Sequence, residues 1–357
     1  MKIARSLFTW SILLGTGLYS IPAGADEVFS GVAGYSTTGI PADRDLYVSV
    51  PFVAEAPQLG AVSLIGSLDS EGNQRISIEG VAGLEIDSLS SAHSVRLLEG
   101  VNAGLRYPVV SNEVDSMLVA FGGEAPSPGV IVALERCWTL DTLFPPETQS
   151  TFHESTGKFA TSRGSELMIV SPLSQSGLTS AERIYFLENG AWIEAGGGYR
   201  VAGTDRIPVD AGLVIRHPAS VPSTNLELSG VGYHGSVVAR LQPGAGTTGS
   251  AAIGLLIPGG TTLSGLGLGD SEVRPGSDLS EANRRDVLHV FALTRPNAPA
   301  PAASYFRSGG SWRTTASGNA VSDDAVVPAG SVLVIENVDP ADAGRNDWDQ
   351  TGGASAN

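Results

Sequence analysis

Apolar and polar residues alternate in short runs from about residue 45 to residue 336. Examples are Leu46 to Phe52, Met117 to Phe121 and Val287 to Leu293, all rich in β-branched or aromatic residues. A period of two places every second side chain on the same face of a strand. Turn pairs such as Asn189-Gly190 separate the runs. The pattern predicts an all-β fold of tandem β-sandwich or barrel-like modules.

An internal repeat is the strongest sign of organisation along the chain. Residues 159–215 align without gaps on residues 279–335, a constant shift of 120. Twelve of the 57 aligned residues are identical, whereas average composition predicts roughly four. In this alignment His289 replaces Ile169. The identical pairs include Val170/Val290, Tyr185/Tyr305, Phe186/Phe306, Trp192/Trp312 and Leu213/Leu333.

The matched aromatic residues have two interpretations. Trp192 and Trp312 each follow a predicted hairpin turn by two residues, and each is followed by a Gly-rich loop and an apolar strand. This position inside a strand favours an inter-strand core in each copy, because large aromatic side chains gain most from burial. The alternative is an exposed aromatic platform for sugars.

Composition shifts and the repeat suggest how the chain is divided. We predict a signal peptide at 1–25, an N-terminal β module at 26–156, a middle β module at 157–276, a shorter C-terminal β module at 277–338 and a disordered acidic tail at 339–357.

The first residues predict export. Lys2 and Arg5 precede the apolar run Ile12 to Tyr19, and Ala23-Gly24-Ala25 forms a small-residue cleavage site. The apolar run is too short to span a membrane, so we expect no membrane span after the signal is removed. A secreted or periplasmic location follows.

Charge narrows the choice of partners. The chain carries 21 basic and 37 acidic residues, a net charge of −16. Cleavage after residue 25 removes two basic residues and leaves a net charge of −18. A surface of this sign repels phosphate backbones, so nucleic acid is excluded as an expected partner.

The sequence offers little catalytic chemistry. The single cysteine, Cys137, lies beside Trp138 and is expected to be buried and inert. The five histidines are spread out, without zinc-binding spacing, and the chain lacks a G-x-S-x-G nucleophile elbow. We therefore assign no catalytic, metal or cofactor-binding residue and expect no cofactor. A Ser-His-Asp triad or a carboxylate pair assembled from distant segments stays open.

Two segments resemble an uncharacterised family of exported bacterial β-rich proteins. These are Leu105–Asn112 and Trp138–Pro145, with further similarity at Val48–Phe52. The family is best known from verrucomicrobial genomes, and some members carry exosortase-type sorting tails. The resemblance implies an exported β-rich protein and carries over no site residues. Thr351–Asn357 lacks the apolar span of a sorting tail, so free secretion or a periplasmic location is expected.

Three functions remain from the sequence. The first is a non-enzymatic, modular β-protein of the cell envelope or extracellular matrix that acts through surface interactions, with other envelope proteins as partners. The second is an extracellular polysaccharide-binding module using exposed aromatics, for which Tyr199, Tyr233 and Trp348 are the candidates. The third is a secreted hydrolase, which needs converging acids or a Ser-His contact.

Overall fold

The computed structural model describes residues 33–350 except 91, 124, 171–180, 197, 234–236, 242–249, 258, 271, 295–299 and 338–345. They belong to one compact unit, Gly31–Asn357. The predicted signal peptide and most of the predicted tail lie outside the described residues. Strands predominate among those described, and the helices are short, so the all-β prediction is confirmed.

The strands are β1 (Ala33–Ile40), β2 (Arg44–Val48), β3 (Phe52–Val53), β4 (Gln58–Leu68), β5 (Gln74–Ile78), β6 (His93–Leu97), β7 (Arg106–Asn112), β8 (Met117–Val119), β9 (Ile131–Arg136), β10 (Glu166–Val170), β11 (Arg183–Glu188), β12 (Ala191–Glu194), β13 (Gly212–His217), β14 (Thr224–Gly232), β15 (Val238–Leu241), β16 (Ser250–Gly254), β17 (Thr261–Thr262), β18 (Asp286–Phe291), β19 (Leu293–Thr294), β20 (Ala303–Ser308), β21 (Ser311–Thr314), β22 (Val326–Val327), β23 (Val332–Asn337) and β24 (Asn346–Asp349). The helices are α1 (Leu140–Leu143) and 3₁₀ turns at Ala160–Ser162, Ser264–Leu266 and Glu281–Asn283.

Two sheets enclose the first core. One has the order β12-β11-β10-β13-β2-β19, and the other has the order β1-β14-β3. Their inward side chains meet in a cluster that includes Leu46, Phe52, Tyr185, Trp192 and Leu228. The first strands of the chain thus complete sheets whose other strands lie more than 100 residues later. We call this unit the first sandwich.

A closed six-stranded barrel is inserted between β3 and α1. Its strands have the order β4-β5-β8-β7-β6-β9, and β9 closes the barrel by pairing with β4. Alternate residues fill its interior, as the alternation predicts. The interior cluster includes Ile76, Val95, Tyr107, Val119 and Val132.

A second sandwich follows the linker after β14. Its main sheet has the order β16-β23-β18-β20-β21, and β15 pairs with β24 beside it. The strand order reproduces β2-β13-β10-β11-β12 of the first sandwich. Its core includes Ile253, Leu288, Trp312, Leu333 and Trp348.

Strand registers refine the alignment of the two copies. Leu187 lies opposite Trp192 and Arg307 lies opposite Trp312, which preserves the shift of 120 in both hairpins. In the neighbouring strand, however, Leu167 opposes Ile215 whereas Leu288 opposes Ile335. β18 is therefore offset from β10 by 121 residues.

Because of this one-residue difference in offset, the gapless alignment is wrong between β10 and β18. A one-residue slip moves every side chain to the other face of a sheet. In the structure Met168, and not Ile169, occupies the position of His289, and Ile169 corresponds to Val290. The match of Val170 with Val290 is a coincidence of composition.

The two main sheets pack against each other through their outer faces. Tyr47 and Phe291 bring their rings to 4.9 Å, within a cluster that draws on both sheets. A Cβ on Gly212 would lie 2.6 Å from a Val332 methyl group, so only glycine permits this approach of β13. The tight packing between the two main sheets therefore explains why residue 212 is a glycine.

Hydrogen bonding crosses the predicted module boundaries at residues 156 and 276. β2 pairs with β13, and β16 pairs with β23. The physical reason is that the last strand of each copy pairs with a strand that precedes that copy in sequence, β2 in the first sandwich and β16 in the second. Among the described residues, no helix is long and apolar enough to cross a membrane.

Candidate functional site

A charged cluster lies on the outer face of the barrel beside the first sandwich. Arg96 Nε donates to Glu135 Oε1 at 2.7 Å, and Arg106 Nε donates to Glu135 Oε2 at 2.8 Å. The side chains of Arg96 and Glu135 are 1% and 2% exposed, and that of Arg106 is 13% exposed. One carboxylate therefore joins two guanidinium groups with little access to water.

Strand alternation places these residues on one face. Val95 points into the barrel core, so Arg96 points outward. Arg96 lies directly opposite Arg106, while Glu135 lies opposite Ser94 on the other neighbouring strand. Like charges directly opposite each other destabilise a sheet. Glu135 offsets that repulsion by binding both.

The electrostatics of the cluster depend on the balance between burial and charge. Burial raises the pKa of the Glu135 carboxyl, but Arg106 and Arg96 outweigh this effect and hold the pKa below its ordinary value. Burial lowers the pKa of Arg96, and Glu135 opposes that change. Charge-assisted hydrogen bonds of this kind are stronger than neutral ones. The ionised cluster therefore links three neighbouring strands of the barrel, β7, β6 and β9.

Tyr233 is the predicted aromatic that belongs to this cluster. The Arg106 guanidinium carbon lies 4.8 Å from the centre of the Tyr233 ring, a cation–π contact. The ring is half-buried, and burial raises the pKa of its hydroxyl. Tyr233, which lies in the linker between the two sandwiches, therefore covers the buried charge of Arg106.

Cys137 lies at the edge of the same cluster. It is 5% exposed, and its Sγ lies 3.4 Å from the Ser94 hydroxyl. Burial raises the pKa of its thiol, which disfavours the thiolate that nucleophilic chemistry needs. The prediction of a buried cysteine is confirmed.

Tyr199 lies in the loop that follows β12 of the first sandwich. Its backbone adopts a left-handed conformation with φ 57°, and its ring is half-exposed. Lys158 Nζ lies 5.5 Å from the ring centre, and the ring meets Phe186 edge-on at 6.5 Å. Part of this ring is open to solvent.

Trp348 is buried, contrary to the exposure expected for a ligand-contacting aromatic. Its side chain is 1% exposed, and its indole N–H donates to the Leu266 carbonyl at 2.8 Å. The surrounding strand β24 also departs from the predicted disorder of the tail, because it pairs with β15. The apolar area of the tryptophan and its hydrogen bond hold β24 on the second core.

A Ser-His contact, which the sequence left open, occurs in the second sandwich. Ser304 Oγ lies 2.8 Å from His289 Nδ1, and Glu336 Oε2 lies 3.1 Å from His289 Nε2. The three residues lie on β20, β18 and β23, which are adjacent in one sheet. Within the described residues, no group of three or more metal-ligating side chains forms a candidate metal site.

Sequence reasoning missed the charged cluster. Its members are separated by up to 39 positions, and each has the outward position that alternation normally gives to a solvated charge. Arg96, between the apolar residues Val95 and Leu97, was the one local signal. Its partners became adjacent only through barrel closure.

Comparison with known proteins gives no matching family model, no matching curated relative and no matching solved structure. The family resemblance seen in the sequence stays a prediction.

His217 gives the first sandwich a predicted sensitivity to acid. The residue is fully buried, with Nε2 2.7 Å from the Thr224 hydroxyl, and its ring lies 5.7 Å from that of His153. Burial lowers its pKa below 6.5, and the charge of His153 acts in the same direction. Burial likewise lowers the pKa of His93. Both histidines therefore protonate more readily in the unfolded chain.

We expect the free energy of unfolding to fall as the pH is lowered from 7 to 5. The unfolded state binds more protons in this range, with a limit of about 1.4 kcal/mol per pH unit for each histidine. Urea denaturation at pH 5, 6, 7 and 8 measures the slope. His217→Gln should flatten it between pH 7 and 5 and leave the interval from 7 to 8 unchanged. An unaltered slope in this variant would contradict the assignment.

Proposed function

We propose that the protein is a non-enzymatic, exported, modular β-protein of the cell envelope or extracellular matrix that acts through surface interactions. The burial of Trp192 and Trp312, at 0% and 1% exposure, carries the proposal. The repeated aromatics fill two cores and leave no sugar platform at these positions. The charged cluster supports the same view, because its carboxylate is committed to two neighbouring arginines.

The Ser304–His289–Glu336 chain is better explained as a cross-strand polar ladder than as a catalytic triad. β20 is paired on one side with β18 and on the other with β21. Inside such a strand the backbone N–H groups serve the ladder. A nucleophilic serine instead lies on a sharp turn beside N–H groups free to bind an oxyanion. The hydrolase hypothesis therefore ranks below the structural one.

Polysaccharide binding stays the second candidate, and Tyr199 is the observation that favours it. Its half-exposed ring lies beside Lys158 on the surface of the first sandwich. Of the other two candidate aromatics, Trp348 is buried and Tyr233 covers Arg106. A single aromatic offers one stacking position.

The proposed function predicts saturable binding to envelopes without turnover. Purified protein is mixed with washed envelopes of the producing cells, and bound protein is measured against concentration, with heat-unfolded protein as the control. In parallel, chromogenic esters and glycosides are assayed with the wild type and with Ser304→Ala. We expect saturation only for the folded protein and equal, buffer-level turnover for both variants.

Two outcomes would overturn the proposal. One is turnover that Ser304→Ala abolishes, which would establish the hydrolase. The other is retardation in gels containing a soluble polysaccharide that Tyr199→Ala removes while Ile86→Ala, at an exposed apolar residue between β5 and β6, preserves it. That result would establish the polysaccharide-binding module.

A further inference from the structure

The described strands that end a sheet differ in how they are protected. β12 and β21 are short, and each is bridged by the loop that follows, through Ile193 with Val201 and Arg313 with Val321. All five residues of β16 are buried, and β3 has only two residues. Short, covered or buried edges resist pairing with other chains.

β1 lacks these protections. Among the described strands, it pairs with β14 on one side and ends its sheet on the other, and it is eight residues long. The strand contains no charged residue and no proline. Tyr35 is 64% exposed, and Thr37, Thr38 and Gly39 are exposed as well. A long uncharged edge is a template for strand addition.

The register with β14 fixes which side chains of β1 share a face. Thr38 lies opposite the buried Leu226, and Thr37 lies opposite the exposed Glu227. Tyr35, Thr37 and Gly39 therefore project on the outer face. A strand added to β1 must place its own solvent-facing residues on this outer face, because a one-residue slip would turn them to the inner face.

We propose that β1 is a homodimerisation strand, which pairs antiparallel with β1 of a second copy around a two-fold axis at Thr37. This register places Tyr35 opposite Gly39 of the other copy and Ser36 opposite Thr38. An aromatic residue across from a strand glycine covers the exposed backbone. The two three-stranded sheets become one six-stranded sheet.

Charge is compatible with a second copy despite the net charge of −16. The carboxylate nearest the axis on the outer face of this sheet is Glu227, on β14 opposite Thr37. In the joined sheet the two Glu227 residues lie three strand spacings apart, about 14 Å. The screening length is about 8 Å at physiological ionic strength. The centre of the interface therefore carries no charge. Because both copies are negatively charged overall, added salt should screen their repulsion and strengthen dimerisation.

Disulfide trapping tests both the pairing and its register. Thr37→Cys places two thiols directly opposite each other, with Cβ atoms about 5 Å apart. We expect a reducible dimer on non-reducing gels after mild oxidation. Asn225→Cys, on the same face but one strand inward, is the matched control and should stay monomeric. The native thiol of Cys137 is buried and does not interfere.

Mixed variants provide a second register test. Tyr35→Cys and Gly39→Cys should cross-link with each other and much less with themselves. Gly39 accepts a side chain, because the nearest atom to an added Cβ is Asn225 Oδ1 at 3.8 Å. Cross-linking of Tyr35→Cys mainly with itself would contradict the axis at Thr37.

Sedimentation measures the unmodified interface. The wild type should show a monomer–dimer equilibrium that shifts toward dimer as salt is raised, and Thr37→Lys should weaken it about tenfold by opposing two like charges. Asn225→Lys should leave it unchanged, and melting curves check that each variant is folded. A monomer at every concentration and salt level, or equal cross-linking of Thr37→Cys and Asn225→Cys, would overturn the proposal. These measurements need no ligand and are independent of the proposed function.

Discussion

Replacing Glu135 with alanine is expected to lower the free energy of unfolding by about 3–5 kcal/mol. The change removes the carboxylate that binds both Arg96 and Arg106, whose side chains are 1% and 13% exposed. Breaking a buried ion pair from one side costs more than the pair itself contributes, because the remaining charge stays desolvated. Denaturant unfolding at pH 7 measures the effect.

A surface pair supplies the control for this prediction. Glu113 binds Arg75 at 3.1 Å, with side-chain exposures of 66% and 35%. Glu113→Ala should cost no more than about 1 kcal/mol. If Glu135→Ala and Glu113→Ala lowered the free energy of unfolding by similar amounts, burial of the cluster would not be the cause of its contribution to stability.

The pH dependence of the Glu135 effect has a defined sign. The folded-state pKa of Glu135 lies below its ordinary value near 4.5. Its contribution is therefore present above the unfolded pKa and is lost as the pH falls through the folded value. The difference in stability between the wild type and Glu135→Gln should shrink in acid.

Replacing Trp192 with alanine is also expected to cost about 3–5 kcal/mol. The indole is fully buried, its ring lies 5.0 Å from that of Phe152, and its N–H donates to the Phe144 carbonyl at 3.0 Å. The substitution removes apolar contacts, aromatic pairs and a hydrogen bond together. Equilibrium unfolding followed by circular dichroism measures the loss.

The repeat offers a comparison between two buried tryptophans that differ in the hydrogen bond of the indole N–H. Trp312 is 1% exposed and Trp192 is 0% exposed, but the buried indole nitrogen of Trp312 has no hydrogen-bond partner among the described residues. Trp192→Phe should therefore cost about 1 kcal/mol more than Trp312→Phe, since both lose similar volume and only the first loses the bond. Equal costs would mean that the Phe144 carbonyl contributes nothing.

Local features of the fold could be predicted well. Asn189 and Gly190 have φ 52° and 71°, and Glu188 faces Ala191 across this two-residue turn. An Asn-Gly pair favours left-handed conformations at both positions, so the sequence alone defines the hairpin. The burial of Trp192 and Cys137 followed from their residue types and positions in apolar strands.

The candidate site was less predictable. Of the three proposed aromatics, Tyr199 is half-exposed, Tyr233 covers Arg106, and Trp348 is buried and donates a hydrogen bond to the Leu266 carbonyl. The sequence around Trp348 is polar and Asp-rich, which is typical of a solvated tail. Its burial depends on β15, more than 100 residues earlier.

The amino-acid pattern by itself determined the strand content, the hairpins and the duplicated aromatic cores, because alternation and turn chemistry act over a few neighbouring residues. Tertiary structure alone decided that β2 completes the sheet of β13, that β18 is offset by one residue, and that Glu135 joins Arg96 to Arg106. It also decided that β1, a long uncharged strand, ends its sheet among the described strands. These outcomes depend on pairing between distant strands, and many registers satisfy the same alternation until barrel closure and sheet packing select one.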